Sequence, residues 1–477
     1  MMKVKSSLYL QQVKPLLKSL LDNLLETYSY ASILSTDAKS MTYNVSKRGT
    51  TISEDDMLNE RGFVAKVYDG KSYGEYSFNE ITEYLIPEIV DKINNSLMPL
   101  KDILPPSITE SEYGKLPDET ITVLESTEYI EDPEELGSEN IIALLTQLSN
   151  KGKAYNEKVL DCSVSCRYQI YHKIFLSPGK DMEQNVLWTT GSIMVMVSKE
   201  EEVKYYFNGY SNLGGTEILK DMEKDVANVA DSALALLDSE SLTPGEYECI
   251  CTPEVTGMIV HEAFGHGVEM DMFVKKRALA EKYIGEYVAS PLITMHDGAA
   301  SVKEAATYFF DDEGVLAHDT VIIDKGILKR GISDSQSAMH LETLPTGNGR
   351  RQNYERKAYT RMTNTYFEPG YDTLEDMIAS IQYGFLLENA TSGMEDPKNW
   401  GIQCMVNVAK EIKDGKFTGK IYSPIVLTGY VPDLLKSISM VSDTMELSGG
   451  GFCGKGYKEW VKVSDGGPYI KAKICLG

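Results

Sequence analysis

Three consecutive runs in the first half of the chain, Lys158 to Phe175, Val186 to Val197 and Glu202 to Asn208, alternate apolar and polar residues with a period of two. That alternation suits a strand with one covered face and gives a helix no single apolar stripe. The connections are too short for a crossover, so the runs are expected to pair antiparallel, with one face packed and one wet. Shorter alternating segments precede them at Met41 to Val45 and Gly62 to Val67. Helices are expected at Tyr9 to Tyr28, Asn79 to Asn94, Ser138 to Lys153 and Thr216 to Leu237. Leu16, Leu17, Leu20, Leu21, Leu24 and Leu25 form a stripe on the first, which reads as core rather than a cofactor box. The acidic, proline-bearing stretch Pro99 to Asn140 reads as a long surface connector.

Thr243-Pro244-Gly245, within Ser239 to Glu246, is a credible boundary. Beyond it come a short apolar strand at Tyr247 to Cys251 and a helix starting at Pro253. Strands follow at Thr320 to Ile323 and Ile327 to Ile332, around the turn Asp324-Lys325-Gly326. The expected fold is α+β in two domains, residues 1–240 and a β-rich 241–477, with mostly antiparallel sheets and flanking helices. A length of 477 residues suits that division.

Composition narrows the functional classes. Aspartate and glutamate total 71 against 47 lysine and arginine, a net charge of −24, which repels phosphate backbones. Lys275-Lys276-Arg277 and Arg350-Arg351 are short and lack aromatic interleaving, so no nucleic-acid surface is expected. Seven cysteines without dense spacing do not make a disulfide framework. Cys162 and Cys166 share one strand face about 13 Å apart, too far to chelate one ion; Cys249 and Cys251 are not expected to bind metal either. The first residues, broken by lysines and Pro15, do not read as a signal peptide, and no run approaches a membrane span. A cytoplasmic protein with reduced thiols is expected.

The chemistry concentrates in His261-Glu262-Ala263-Phe264-Gly265-His266, which holds two of the six histidines. Paired imidazoles bind Zn²⁺, and a glutamate beside the first can reach metal-activated water without ligating. The spacing is HExxxH, however, and positions five apart on an α-helix diverge by roughly 140°, against roughly 40° for four. The turn must therefore be bent, widened or ended, with His261 near a helix end and Gly265 the residue most tolerant of distortion. A third ligand has near candidates in Glu269 and Asp271 and a far one in Cys453, set in the glycine-rich loop Gly449 to Gly456. Lys455 beside that cysteine would favour a thiolate. Asp311, Asp312 and Glu313 read as a solvated turn rather than a second metal site, though they could orient a ligand histidine. His172, His296, His318 and His340 have no ligand-like neighbours at helical spacing and read as structural or exposed.

HEAFGHGVEMD, FDDEG at Phe310 to Gly314, RMTNT at Arg361 to Thr365 followed by EPG, LTGYVPDLL and GGGFCGKG occur in this order. Together they resemble the TldD/PmbA family of metalloproteases, densely from Cys249 to Gly477. The earlier half matches more loosely, through a pattern like RGFVAKVYDGKSYGEYSFNEIT. The family contains catalytic chains with HExxxH and a late cysteine, and non-catalytic sister chains; this sequence carries the catalytic set. The resemblance implies one zinc per chain on His261, His266 and Cys453, with Glu262 as acid and base. Glu269 and Asp271 then become candidates for holding a ligand histidine by its other ring nitrogen. It further implies cleavage of short or unfolded peptides, including peptide maturation, by a homodimer or a heterodimer with a non-catalytic sister. Arg361, Thr363, Asn364 and Thr365 are candidates for binding an extended peptide, and Asn348-Gly349-Arg350-Arg351 for a loop over the cleft. The competing readings are a non-catalytic peptide-binding subunit of the same fold and a hydrolase of another amide.

Overall fold

A computed structural model describes residues 1–97, 114–456 and 459–477. Its first large sheet grows from one hairpin series. Strand Tyr30–Ser46 pairs antiparallel with Glu60–Tyr68 on one side and Val159–Leu176 on the other. Lys180–Lys199 then pairs with Val159–Leu176 and with Glu202–Asn212, both antiparallel. The alternating runs thus form the expected antiparallel sheet; Lys158 to Phe175 is matched almost residue for residue, while strands such as Tyr30–Ser46 extend beyond their alternation because segments such as Ala31–Leu34 are buried on both faces.

Helices cover one side. Leu8–Leu25 and Leu85–Leu97 enclose Leu17, Leu20, Leu24 and Ile89 against Ile33, Phe63 and Ile174. Ser138–Lys153 and Leu219–Ala235 enclose Ile141, Leu145, Val226 and Ala230 against Val164, Ile193 and Val195. The other side is not wet as expected. Leu34, Val64, Phe175 and Met182 pack on Phe310, and Val186 and Trp188 pack with Ala305 and Phe452, all from the second half of the chain.

The connector expected over Pro99 to Asn140 lies partly outside the described residues. The described remainder is not a loose surface segment. Ile121–Ser126 joins the first sheet parallel to Lys180–Lys199, and Pro133–Leu136 is a short helix capped by Asp132.

The second large sheet belongs to residues 245 onward and is mostly antiparallel, with Ser464–Leu476 at its centre. That strand pairs with Gly245–Cys251, Ile425–Tyr430 and Met440–Ser448 antiparallel and with Asn364–Phe367 parallel. Helix Pro253–Val260 starts where proline costs nothing, at its first turn, and lies directly on that central strand. A Cβ on Gly257 would come within 2.6 Å of the Gly466 backbone nitrogen, so only glycine permits this approach. The helix therefore aims its C-terminal end at the sheet's middle, where the histidines begin.

Candidate metal centre

The α-helix ends at Val260, and His261–Gly265 continues it as one π-helical turn. The His266 N–H donates to the His261 carbonyl, an i→i+5 bond that stacks residues five apart one above the other. HExxxH is thus a widened turn, and the two imidazoles meet with ring centres 5.3 Å apart and planes at 89°. Gly265 serves a different purpose from the one expected. Its φ of −64° suits any residue, but a Cβ there would fall 2.1 Å from Met362 Sδ.

Cys453 approaches from a two-stranded hairpin, Phe452–Lys455 with Glu459–Lys462. Its Sγ lies 3.2 Å from His266 Nε2, and ligand atoms of His261, His266 and Cys453 all fall within 4.8 Å of one another. Burial alone would keep the thiol protonated, but the two imidazoles outweigh it and bring it down to about 5. Two imidazole nitrogens and a thiolate converging on one point are a donor set that suits Zn²⁺. The residues present therefore fit a divalent metal.

The surrounding groups fix these donors. Glu269 Oε2 lies 3.3 Å from His266 Nδ1 and 3.0 Å from Lys455 Nζ, while Oε1 is 3.6 Å from Arg361 Nε. Burial works to raise this carboxyl; Lys455 and His266 outweigh it and hold it at about 2. Asp465 Oδ2 sits 3.7 Å from His261 Nδ1. Lys455 pairs with Glu269 and with Asp271, at 2.6 Å, rather than acting on the thiol as expected. Arg361 donates to the carbonyls of Cys453 at 2.6 Å and Glu459 at 3.1 Å, holding both strands of the hairpin.

Glu262 is half-buried on the same π-turn and faces strand Tyr383–Asp396, where a Cβ on Gly393 would come 2.5 Å from its Cγ. Beside it Glu395 has two buried carboxylate oxygens with no hydrogen-bond partner, and burial raises its carboxyl to about 9. Sequence reasoning missed both Glu395 and Asp465. Asp465 stands before Gly466-Gly467, a signal of close backbone approach; Glu395, in an ordinary polar run, carried none.

Arg361, Thr363, Asn364 and Thr365 do not line a cleft. All four are at most 1% exposed. Thr363 and Thr365 donate to the buried Asp297, and Asn364 donates to the carbonyls of Gly298 and Val302, so their donors are spent inside the protein. Asn348 joins the same Asp297 and the Arg361 carbonyl rather than reaching over a cleft. Asp311, Asp312 and Glu313 are buried, not a solvated turn, and touch no ligand histidine. Asp311 accepts from the Gly349 N–H, Asp312 from the Arg351 N–H and Lys173, and Glu313 from the Ser335 N–H and Lys66. Cys162, Cys166, Cys249 and Cys251 are buried free thiols. His172 bonds Asn185, and His296 is buried between Asp319 and Glu368.

Comparison with known proteins matches residues 244–474 to the PmbA/TldA metallopeptidase C-terminal domain. The chain is 32% identical to Metalloprotease MJ0996 of Methanocaldococcus jannaschii over 66% of its own length and 69% of that protein's. It is 27% identical to a zinc metalloprotease TldD homolog of Saccharolobus solfataricus, over 87% and 89%. Against two further relatives named as metalloproteases the match spans 59% and 51% of their length. The fold superposes on TldE of Thermococcus kodakarensis with a TM-score of 0.73 at 17% identity, covering 96% of this chain and 99% of that one. No helix among the described residues is long and apolar enough to cross a membrane. With an α+β fold of mostly antiparallel sheet, a matched C-terminal half and a relative aligned over two thirds of its length, the chain belongs to the PmbA/TldD family of metallopeptidases.

Proposed function

We propose that the chain is the catalytic, TldD-type member of this family: a zinc peptidase that hydrolyses short or unfolded peptides. The observation that carries the reading is the convergence of His261, His266 and Cys453 within 4.8 Å, with a glutamate on the same turn. His261, His266 and Cys453 would hold one Zn²⁺ per chain, which when bound would supply Lewis acidity for the scissile carbonyl and an acidified water. Glu262 takes the proton from the attacking water and passes it to the leaving amine. Glu269 orients His266 through Nδ1, Asp465 faces His261, and Arg361 seats the hairpin that presents Cys453.

Residues 1–240 and 241–477 act as two domains, the first sheet packing on Ala305, Phe310 and the cysteine hairpin of the second. The likeness to TldE supports a partnership with a non-catalytic sister chain over a lone chain, and a cytoplasmic setting accords with seven free cysteines.

Replacing Glu262 by Gln keeps the shape and removes the base. Peptide cleavage, read as fragments by mass spectrometry, is expected to fall by about 10²–10⁴-fold with zinc content unchanged. Undiminished cleavage would remove Glu262 from the mechanism, and a wild-type protein that makes no fragments would favour a peptide-binding subunit.

A further inference from the structure

The cysteine hairpin has two faces. Cys453 and Val461 are cross-strand partners on one, while Phe452 and Lys462 are partners on the other. Against this second face, between the two halves of the molecule, lies a cavity of about 80 Å³ whose lining includes Tyr171, Trp188, Tyr308, Arg350, Phe452 and Lys462. Lys462 is 7% exposed. Its ammonium lies 4.6 Å from the ring centres of both Trp188 and Phe452, and its one hydrogen bond among the described residues goes to the Gly451 carbonyl at 3.3 Å.

A buried ammonium ordinarily sits against a carboxylate, because taking it out of water is costly otherwise. Here Glu304 and Asp465 act only from a distance, and two guanidiniums oppose them. Arg167 lies 5.7 Å from the Phe452 ring centre and Arg350 5.2 Å from that of Tyr308. Burial accordingly presses the Lys462 ammonium down to about 7. The remaining charges around the cavity are already engaged: Lys173 with Asp312, Arg351 with Glu75, Asp311 and Glu60 with backbone N–H groups. Arg167 is itself 3.6 Å from Asp55 and Arg350 donates to the Met362 carbonyl, so Lys462 is the cation of this aromatic hollow with no carboxylate against it among the described residues.

We propose that this cavity receives a carboxylate of the bound peptide, with Lys462 as its counter-ion and Trp188 and Phe452 covering the carbons beside it. The volume holds a few waters, so it admits one carboxylate on a short stem and not a longer segment. The hairpin that carries Cys453 toward the histidines on one face thus carries Lys462 into the cavity on the other, and Asp465, which faces His261, acts on Lys462 as well. A peptide anchored at Lys462 is thereby fixed relative to Glu262. The inference rests on the peptidase reading, since it supplies the class of ligand.

The test uses full-length Glu262→Gln protein and four synthetic peptides of one sequence, with a C-terminal acid or amide and with an internal Glu or Gln. Titration calorimetry is expected to show about tenfold weaker binding when the carboxylate that enters the cavity is removed. The acid and amide arms report a terminal carboxylate, the Glu and Gln arms a side-chain one. Adding Lys462→Met is expected to erase the difference, and Lys462→Arg to keep it. Equal affinity for all four peptides overturns the proposal without any Lys462 variant, so a misfolded mutant cannot shelter it; a preference that survives Lys462→Met overturns it too. Cleavage by the wild type with equal affinities leaves the peptidase reading standing alone, and selective binding without cleavage by the wild type does the reverse.

Discussion

Among single residues, Glu269 links the two sides of the metal centre. One carboxylate touches His266, Lys455 and the guanidinium of Arg361, which in turn holds the Cys453 carbonyl. It therefore ties the helical ligand to the hairpin ligand without binding metal itself. Changing Glu269 to Gln removes the charge that balances Lys455 and Arg361 and fixes the His266 tautomer. Zinc affinity is expected to fall about 10–100-fold, measured by competition with a chromogenic chelator; unaltered affinity would show that His266 needs no such support. The RMTNT residues follow the same logic. Their polar chemistry suggested a peptide-binding surface in the sequence, yet hydroxyls and amides serve equally to satisfy a buried carboxylate, here Asp297.

At the level of elements, the decisive piece is a π-turn laid over strand Tyr383–Asp396. Gly393 is bare where Glu262 crosses, so Gly393→Ala pushes the Glu262 side chain off its position. Cleavage is expected to drop about 10²-fold, as for a base misplaced by roughly an ångström, while zinc content stays constant. Loss of zinc together with activity would mean that the strain reaches the histidines. The sequence permitted part of this to be read. HExxxH cannot work on an α-helix, so a distorted turn at the end of the Pro253 helix follows from 3.6 residues per turn. That the distortion is a widening, and that Gly265 makes room for Met362 rather than bending the chain, depends on tertiary neighbours that periodicity does not encode. Local alternation revealed the strands; the two buried faces of the first sheet were hidden because its outer residues pack on a partner more than a hundred positions away.

For the whole molecule, the two halves are joined by charges as well as by apolar contact. Lys66 lies 2.6 Å from Glu313 and 3.3 Å from Glu75, and Arg351 lies 3.2 Å from Glu75. Burial works to raise the Glu75 carboxyl, but Lys66 and Arg351 outweigh it and lower it from 4.5 to about 2. A carboxyl depressed on folding contributes stability that is full above pH 4.5 and is lost as pH falls toward 2. Thermal unfolding of wild type and Glu75→Gln between pH 2 and 6 is expected to differ by about 2 kcal/mol in acid sensitivity, the variant being flatter. Parallel curves would place the acid sensitivity elsewhere. Acidic FDDEG gave no hint of this role, because a run of carboxylates reads as solvated until its partners, the ammoniums of Lys66 and Lys173 and the backbone N–H of Arg351, are known.

The central strand of the second sheet, Ser464–Leu476, is made after every strand it pairs with. Both histidines therefore precede by about two hundred residues the ladder that Gly257 packs against and the Asp465 that faces His261, and the hairpin bearing Cys453 ends immediately before that ladder. The last strand in chain order is thus also the bench on which the histidine-bearing helix rests, so the geometry of the metal centre is complete only when that strand closes the sheet.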